Sequence, residues 1–184
     1  MHKFVILLLA IANTNAEVAL VIGGFGASDS VQVITKDDVC LGSQASPTLP
    51  RAPDGRVGWT AQYIDGSLVV CGGAKTDFYA NCFSLKIGER RWVNAGTMRY
   101  QKRYAESMVF NGEMIVLGGY NQNQGWLDAV ELRQSDGHFV EMTDWKLPRK
   151  IFDFCAVQMD EDRIMVLGRY ILLNFLLSKN SRVS

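Results

Sequence analysis

The sequence predicts an all-β chain of blades, each of four antiparallel strands. It holds about three blades and one further strand, an incomplete propeller. Three observations predict it. An apolar strand ending in a glycine pair recurs at 23–24, 72–73 and 118–119, with a degenerate copy at Gly168, where Arg169 takes the second place. The copies are spaced by 49, 46 and 50 residues, a period that marks propellers and other repeat arrays. Ahead of two of these strands, Asp65-Gly66 and Asn111-Gly112 separate pairs of apolar runs. Such dipeptides tolerate the positive φ that a type I′ hairpin turn requires at both central positions.

Taken in order, the chain opens with Met1-His2-Lys3, nine apolar residues over 4–12, and Thr14-Asn15-Ala16. A basic start, a short apolar run and small residues at the cleavage positions predict a secretory signal peptide over 1–16, cut after Ala16. Nine apolar residues fall short of the ~20 that a spanning helix needs, so no membrane span is expected. The 19 basic and 19 acidic residues balance. With no basic cluster, nucleic acid is not an expected partner.

The middle repeat reads most clearly. Residues 67–71, 81–87, 91–95 and 103–110 are four short runs rich in β-branched and aromatic residues, separated by turn chemistry. On this phasing the blades span 17–65, 66–111 and 112–160, followed by an opening strand at 163–167. Closed propellers have roughly four to eight blades, so closure is expected to need further blades or self-association. Glu161-Asp162 fills the third turn slot less well, which predicts a longer or distorted turn. The glycine pairs are expected where backbones approach closely at strand ends. The repeat region is placed at 17–168. The stretch 169–184 reads as foreign to the repeat, because Tyr170-Ile171-Leu172-Leu173-Asn174-Phe175 does not resemble a second strand. The competing reading makes it a helix or strand that covers the last blade's open edge.

Four cysteines, at 40, 71, 82 and 155, in a chain entering an oxidising compartment predict disulfides. A hairpin folding near Thr76 and Asp77 sets Cys71 opposite Cys82, within reach of a bridge after a small adjustment. Cys40 and Cys155 are expected to stay free. The alternative is that all four are small buried apolar residues. No CxxC spacing supports a zinc site.

These residues resemble the kelch repeat family. Gly72-Gly73, Phe83, Trp92, Met98 and Arg103 follow its order. So do Gly118-Gly119, Trp126, Leu132, Phe139, Leu147, Pro148 and Arg149, with Phe139 where the family has Trp. The first unit is weaker: Gly23-Gly24, residues 31–34 and Leu49-Pro50-Arg51, without a Trp. The resemblance covers about 17–168, and its motifs specify fold better than function.

Enzyme chemistry has little material here. His138 is the only histidine after residue 16. A Ser-His-Asp triad or a site built on several imidazoles is therefore not expected, nor is a cofactor or a resident metal. Galactose oxidase looks similar in fold, but its copper ligands include a histidine pair that this chain lacks. Ser135-Asp136-Gly137 reads as a hairpin turn, and Asp160 and Glu161 as solvated turn carboxylates.

Binding is the stronger expectation. The loops after the first and third strands of a unit leave one face of the blade. They carry Tyr120 through Trp126 and Arg99 through Arg103, rich in the Tyr, Trp and Arg that dominate interfaces. The kelch resemblance implies that Arg56, Arg103 and Tyr120 face a ligand, with Phe25 a weaker match and Arg149 or Lys150 an approximate one. The competing reading packs the same arginines between blades. Trp92 and Phe139 read as blade core. The expected function is a secreted, non-enzymatic propeller that binds a protein, with a glycan as the second ligand class. Alternatives are part of a secreted galactose-oxidase-like enzyme, or an intracellular kelch substrate adaptor, which the signal peptide disfavours.

Overall fold

The computed structural model describes the strands Val18–Ile22 and Val31–Thr35, residues 50–168, and the strand Ile171–Leu176. The expected signal peptide, Phe25, Cys40 and residues 177–184 lie outside the described residues.

Strands β1 (Val18–Ile22) and β2 (Val31–Thr35) form an antiparallel pair. Sheet A holds β3 (Val57–Ile64), β4 (Ser67–Ala74), β5 (Asn81–Lys86) and β6 (Val93–Thr97), in that order. Sheet B joins β7 (Glu106–Phe110) to β8 (Glu113–Leu117). After a small hairpin of β9 (Tyr120–Asn121) and β10 (Gly125–Trp126), it continues with β11 (Ala129–Arg133) and β12 (Phe139–Lys146). Sheet C runs β13 (Phe154–Gln158), β14 (Arg163–Gly168) and β15 (Ile171–Leu176). Every pairing is antiparallel. Four-stranded antiparallel blades in series are the expected architecture, an unclosed, propeller-like array.

The phasing differs from the sequence expectation by one strand. Asp65 (φ 52°) with Gly66 (φ 73°) and Asn111 (φ 51°) with Gly112 (φ 84°) do form tight turns of positive φ. They join β3 to β4 and β7 to β8 inside one sheet, instead of separating blades. The reason is geometric: a two-residue turn leaves its flanking strands as hydrogen-bonded neighbours. The crossings between sheets are the longer segments 98–105 and 147–153. The third hairpin, β13 to β14, takes the longer turn expected of it, held by the Asp160 carboxylate, which accepts from the Asp162 N–H at 3.1 Å and from Arg163 Nε at 2.6 Å.

The stretch after Gly168 is also corrected. Ile171–Leu176 pairs in full register with β14, from Gly168 opposite Ile171 to Arg163 opposite Leu176. It occupies the third-strand place that β5 and β11 hold in sheets A and B, and its backbone N–H and C=O groups pair with those of β14 on that side.

The core lies between the sheets. Val69, Cys71 and Cys82 of sheet A meet Met114, Val116 and Phe139 of sheet B. Ile115, Leu117 and Val130, on the other face of sheet B, meet Phe154, Ile164 and Val166 of sheet C. Alternation along β8 therefore serves two interfaces at once, consistent with the period-two side-chain rule. Leu68 and Val70 face away from sheet B and pack with Ala52, Ala61, Phe83 and Trp92. Phe139 is thus a core residue, as expected, and Trp92 packs half-buried against the core.

Cys71 and Cys82 stand directly opposite each other in the β4–β5 ladder and form a disulfide with Cα atoms 4.1 Å apart. Cys155 is free and exposed. No helix among the described residues is long and apolar enough to cross a membrane.

Candidate binding face

The glycine pairs build the site by letting each crossing segment dock on the preceding sheet. Gly72 and Gly73 have φ of 69° and 82°, and a Cβ on Gly72 would stand 2.6 Å from the Lys102 carbonyl. That carbonyl accepts the Gly73 N–H at 2.9 Å. The arrangement repeats one sheet later, where a Cβ on Gly118 would stand 2.6 Å from the Ile151 carbonyl, which accepts from the Gly119 N–H at 2.9 Å. Only glycine accommodates such an approach together with positive φ.

The first crossing is clamped further by charge. Lys102 Nζ lies 2.7 Å from Glu131 Oε1, with both side chains fully buried. The other Glu131 oxygen accepts the Arg99 N–H at 2.7 Å. Asn121 Nδ2 donates to the Gln101 carbonyl at 2.7 Å, while Asn121 Oδ1 accepts from the Asn123 and Gln124 N–H groups. One buried asparagine therefore ties the crossing to the β9–β10 turn. Tyr100 donates its hydroxyl to Glu141 at 2.6 Å, and this bond to the carboxylate raises the phenol's pKa.

Arg103 and Tyr120 are joined by reciprocal backbone hydrogen bonds of 3.1 and 2.8 Å. The Arg103 guanidinium lies 4.9 Å from the Phe78 ring centroid, 5.0 Å from Tyr104 and 5.8 Å from Tyr120, within cation–π range of each. From there the aromatic rings continue in a ladder. Phe78 to Tyr120 is 5.8 Å, Tyr120 to Trp126 is 4.7 Å, and Trp126 stacks on Phe152 at 3.6 Å with 21° between planes. Trp126 is 42% and Phe152 38% exposed. Four connections contribute: the β4–β5 loop, both crossings and the β9–β10 hairpin. They share one end of the sheets, opposite the tight turns at 65–66 and 111–112.

Of the residues expected at a binding face, Arg103, Tyr120 and Trp126 are brought together. Arg149 is exposed on the crossing that carries Phe152. Phe25 is outside the described residues. Arg56 is elsewhere, 1% exposed. Its guanidinium pairs with Asp54 at 2.6 Å, donates to Asn81 Oδ1 at 2.8 Å and to the Gly72 carbonyl at 3.1 Å, and lies 3.8 Å from the Tyr79 ring centroid. Arg56 is therefore buried against its own sheet, neither on the loop face nor between blades. Register explains it: Val57 pairs with Ala74, just past its glycine pair, as Arg103 pairs with Tyr120. Arg56 thus holds the position of buried Lys102, and Val57 that of Arg103.

The sequence reading missed Phe78, Tyr104 and Phe152. Phe152 had a legible signal, standing eight residues before Asp160, as Arg103 stands eight before Asn111. Tyr104 and Asp153 repeat each other in backbone, with φ of 55° and 53°, which only the folded chain displays. Ser135-Asp136-Gly137 is a turn, as expected, with the His138 N–H donating to Asp136 Oδ1 at 2.9 Å.

A separate concavity of about 700 Å³ opens beneath β12, where residues 142–145 bulge out of the ladder with β11. Phe110, Ile115, Leu132 and Trp145 contribute apolar wall, and Glu113 and Asp144 carboxylates.

No family model matches the chain, and no curated protein matches its sequence at a significant level. Solved structures do resemble it, among them one titled "Structure of YjhT", with a TM-score of 0.67 at 14% identity, covering 94% of this chain and 64% of that one. At that identity the likeness concerns the fold alone. The present chain spans less than two thirds of that neighbour's length.

Proposed function

We propose that this chain is a secreted, non-enzymatic, kelch-type propeller segment whose loop face binds a protein partner. The observation that carries the reading is the ladder Phe78–Tyr120–Trp126–Phe152, backed by Arg103 and exposed at its Trp126–Phe152 end. Exposed Trp and Tyr on clamped loops are the anchors that dominate protein interfaces, because they bury a large area with few rotamers to immobilise. The Cys71–Cys82 disulfide supports an oxidising destination, in line with the signal sequence over 1–16. The kelch order of residues supports the family reading.

The test compares the unmodified protein with Trp126→Ala and Phe152→Ala, immobilised and exposed to extracellular fluid, with a glycan array run in parallel. The expected result is a protein retained by the unmodified chain and lost by both variants, while their circular dichroism is unchanged. Retention of glycans alone would move the reading to the sugar class. Stoichiometric copper with alcohol oxidation would overturn the non-enzymatic reading in favour of a galactose-oxidase-like part. An intact mass showing Met1 retained would favour the intracellular adaptor.

A further inference from the structure

Alternation along β11 sends Val130 and Leu132 toward sheet C, and Glu131 and Arg133 toward sheet A. The two charged side chains meet different surroundings. Glu131 has Lys102 Nζ at 2.7 Å and the Arg99 N–H at 2.7 Å. Arg133 is half-buried, and its Nε is enclosed with no hydrogen-bond partner. Nor does its guanidinium meet a carboxylate or an aromatic ring among the described residues, whereas Arg56 has Asp54 and Arg103 has Phe78. A donor withdrawn from water without an acceptor is costly, so its presence in a folded chain asks for a physical reason.

The same side chain lines a cleft at the seam between sheets A and B. The cleft, about 440 Å³, lies between β5, β6 and the β11–β12 turn, and Ser84, Thr97, Ser135, Asp136 and His138 line it with Arg133. Glycines hold the turn close. A Cβ on Gly137 (φ 87°) would stand 2.6 Å from the Ala95 carbonyl and 3.5 Å from Arg133 Nη2, and one on Gly96 (φ 100°) would overlap the Gly137 carbonyl. The turn thus docks on a bulge of β6, where Asn81 opposite Thr97 and Phe83 opposite Asn94 leave an extra residue on β6. Both walls are braced. Asn94 Oδ1 accepts the Gly96 N–H at 2.9 Å, and Asp136 Oδ1 accepts the His138 N–H at 2.9 Å. The Ser84 and Ser135 hydroxyls and the His138 ring are left without partners among the described residues.

We propose that this cleft binds a small hydroxylated monocarboxylate, its carboxylate on the Arg133 guanidinium and its hydroxyls on Ser84, Ser135 and His138. A guanidinium presents parallel N–H donors that match the two oxygens of a carboxylate, and such a ligand supplies the acceptor that Arg133 lacks. Hydroxyls and an imidazole each give and take hydrogen bonds, so the rest of the lining suits a hydroxylated molecule better than an apolar one. The size is that of a small-ligand site, typically about 300–1,000 Å³. Asp136 on the same wall sets the charge: Arg133 balances one negative group, while a phosphate dianion meets repulsion. No residue of the loop-face ladder lines the cleft, so this site is separate from the proposed protein-binding face.

Titration of the isotope-labelled protein with gluconate, glucose and inorganic phosphate, followed by NMR at the arginine Nε–H resonances, tests the proposal. Gluconate is expected to shift the Arg133 resonance together with the Ser84 and His138 amides, saturating at about millimolar concentration or below. Glucose, with comparable hydroxyls and no charge, leaves them in place, and phosphate binds roughly tenfold more weakly or worse. Arg133→Gln is expected to abolish the gluconate response without lowering the unfolding temperature, because the group it removes has no partner. Ser84→Leu, which fills the cleft from the sheet A side, should cost the response while leaving the charge in place. Absence of any Arg133 shift at about a hundred millimolar gluconate would overturn the proposal. So would an unchanged response in Arg133→Gln and Ser84→Leu alike. Equal shifts with glucose would remove the role given to charge, and tighter binding of phosphate would rule out a monocarboxylate as the preferred ligand.

Discussion

Glu106 shows how one residue sets a condition on the whole fold. It opens β7 at the seam between sheets B and C and accepts the Ala156 backbone N–H; burial dominates, raising its pKa from 4.5 to about 7. Folding therefore favours the protonated acid. The resulting stability is complete below about pH 4.5 and is lost as pH rises toward 7, where the chain must either ionise a desolvated group or unfold. Denaturant unfolding between pH 4 and 8 is expected to show a decline on the order of 1–3 kcal/mol over that interval. Glu106→Gln should remove the slope and unfold at higher denaturant than the unmodified chain at pH 8. Burial, with the Glu106 and Asp153 charges, also pushes the Cys155 thiol up.

Lys102 and Glu131 illustrate a different case, two buried opposite charges held within ion-pair distance of each other. Lys102→Ala leaves Glu131 uncompensated and is expected to cost about 3–5 kcal/mol. Replacing both, as Lys102→Met with Glu131→Leu, should cost less than either single change. Thermal unfolding of the three variants checks this ordering. The pair also holds the crossing that carries Arg103, so partner binding should weaken in Lys102→Ala even where the fold survives.

At the scale of elements, the decisive unit is the hairpin closed by a glycine pair. Removing the Cys71–Cys82 bridge by double serine substitution opens a short loop, and chain entropy predicts a loss of about 2–3 kcal/mol, to be read from urea midpoints. Sheet C makes the companion prediction. Truncation after Gly168 strips β15 from β14 and leaves a bare apolar edge, which is expected to promote aggregation. Thioflavin-T kinetics and light scattering on the truncated chain would test it. An unchanged aggregation rate would mean that β15 does not protect that edge.

On the scale of the whole molecule, the sheets form a series in which each apolar strand serves two neighbours. Met114 and Val116 pack toward sheet A while Ile115 and Leu117 pack toward sheet C, so damage at one interface is felt across the array. Phe154→Ala at the B–C seam is expected to cost about 3–5 kcal/mol and to lower the cooperativity of unfolding, visible as separate transitions in tryptophan fluorescence and circular dichroism. A single coincident transition would show that sheet C does not unfold as a separate unit.

Local chemistry sufficed for much of this molecule. Alternating apolar runs, Asp-Gly and Asn-Gly turns, paired glycines and an eleven-residue cysteine spacing act over a few residues each. Strand type, hairpin turns, the disulfide and the loops holding Arg103, Tyr120 and Trp126 were accordingly readable in order along the chain. Three matters depended on contacts between distant segments. Whether a hairpin ends one sheet or lies inside it follows from which strands share hydrogen bonds, so the blade phasing emerged only on folding. Arg56 and Arg103 look alike in sequence, yet a one-residue difference in register buries the first against Asn81 and Tyr79 and leaves the second among the rings of the loop face. Ile171–Leu176 carries no repeat signature, but the unpaired edge of β14 recruits it as a strand, because buried backbone groups must find partners whatever side chains accompany them.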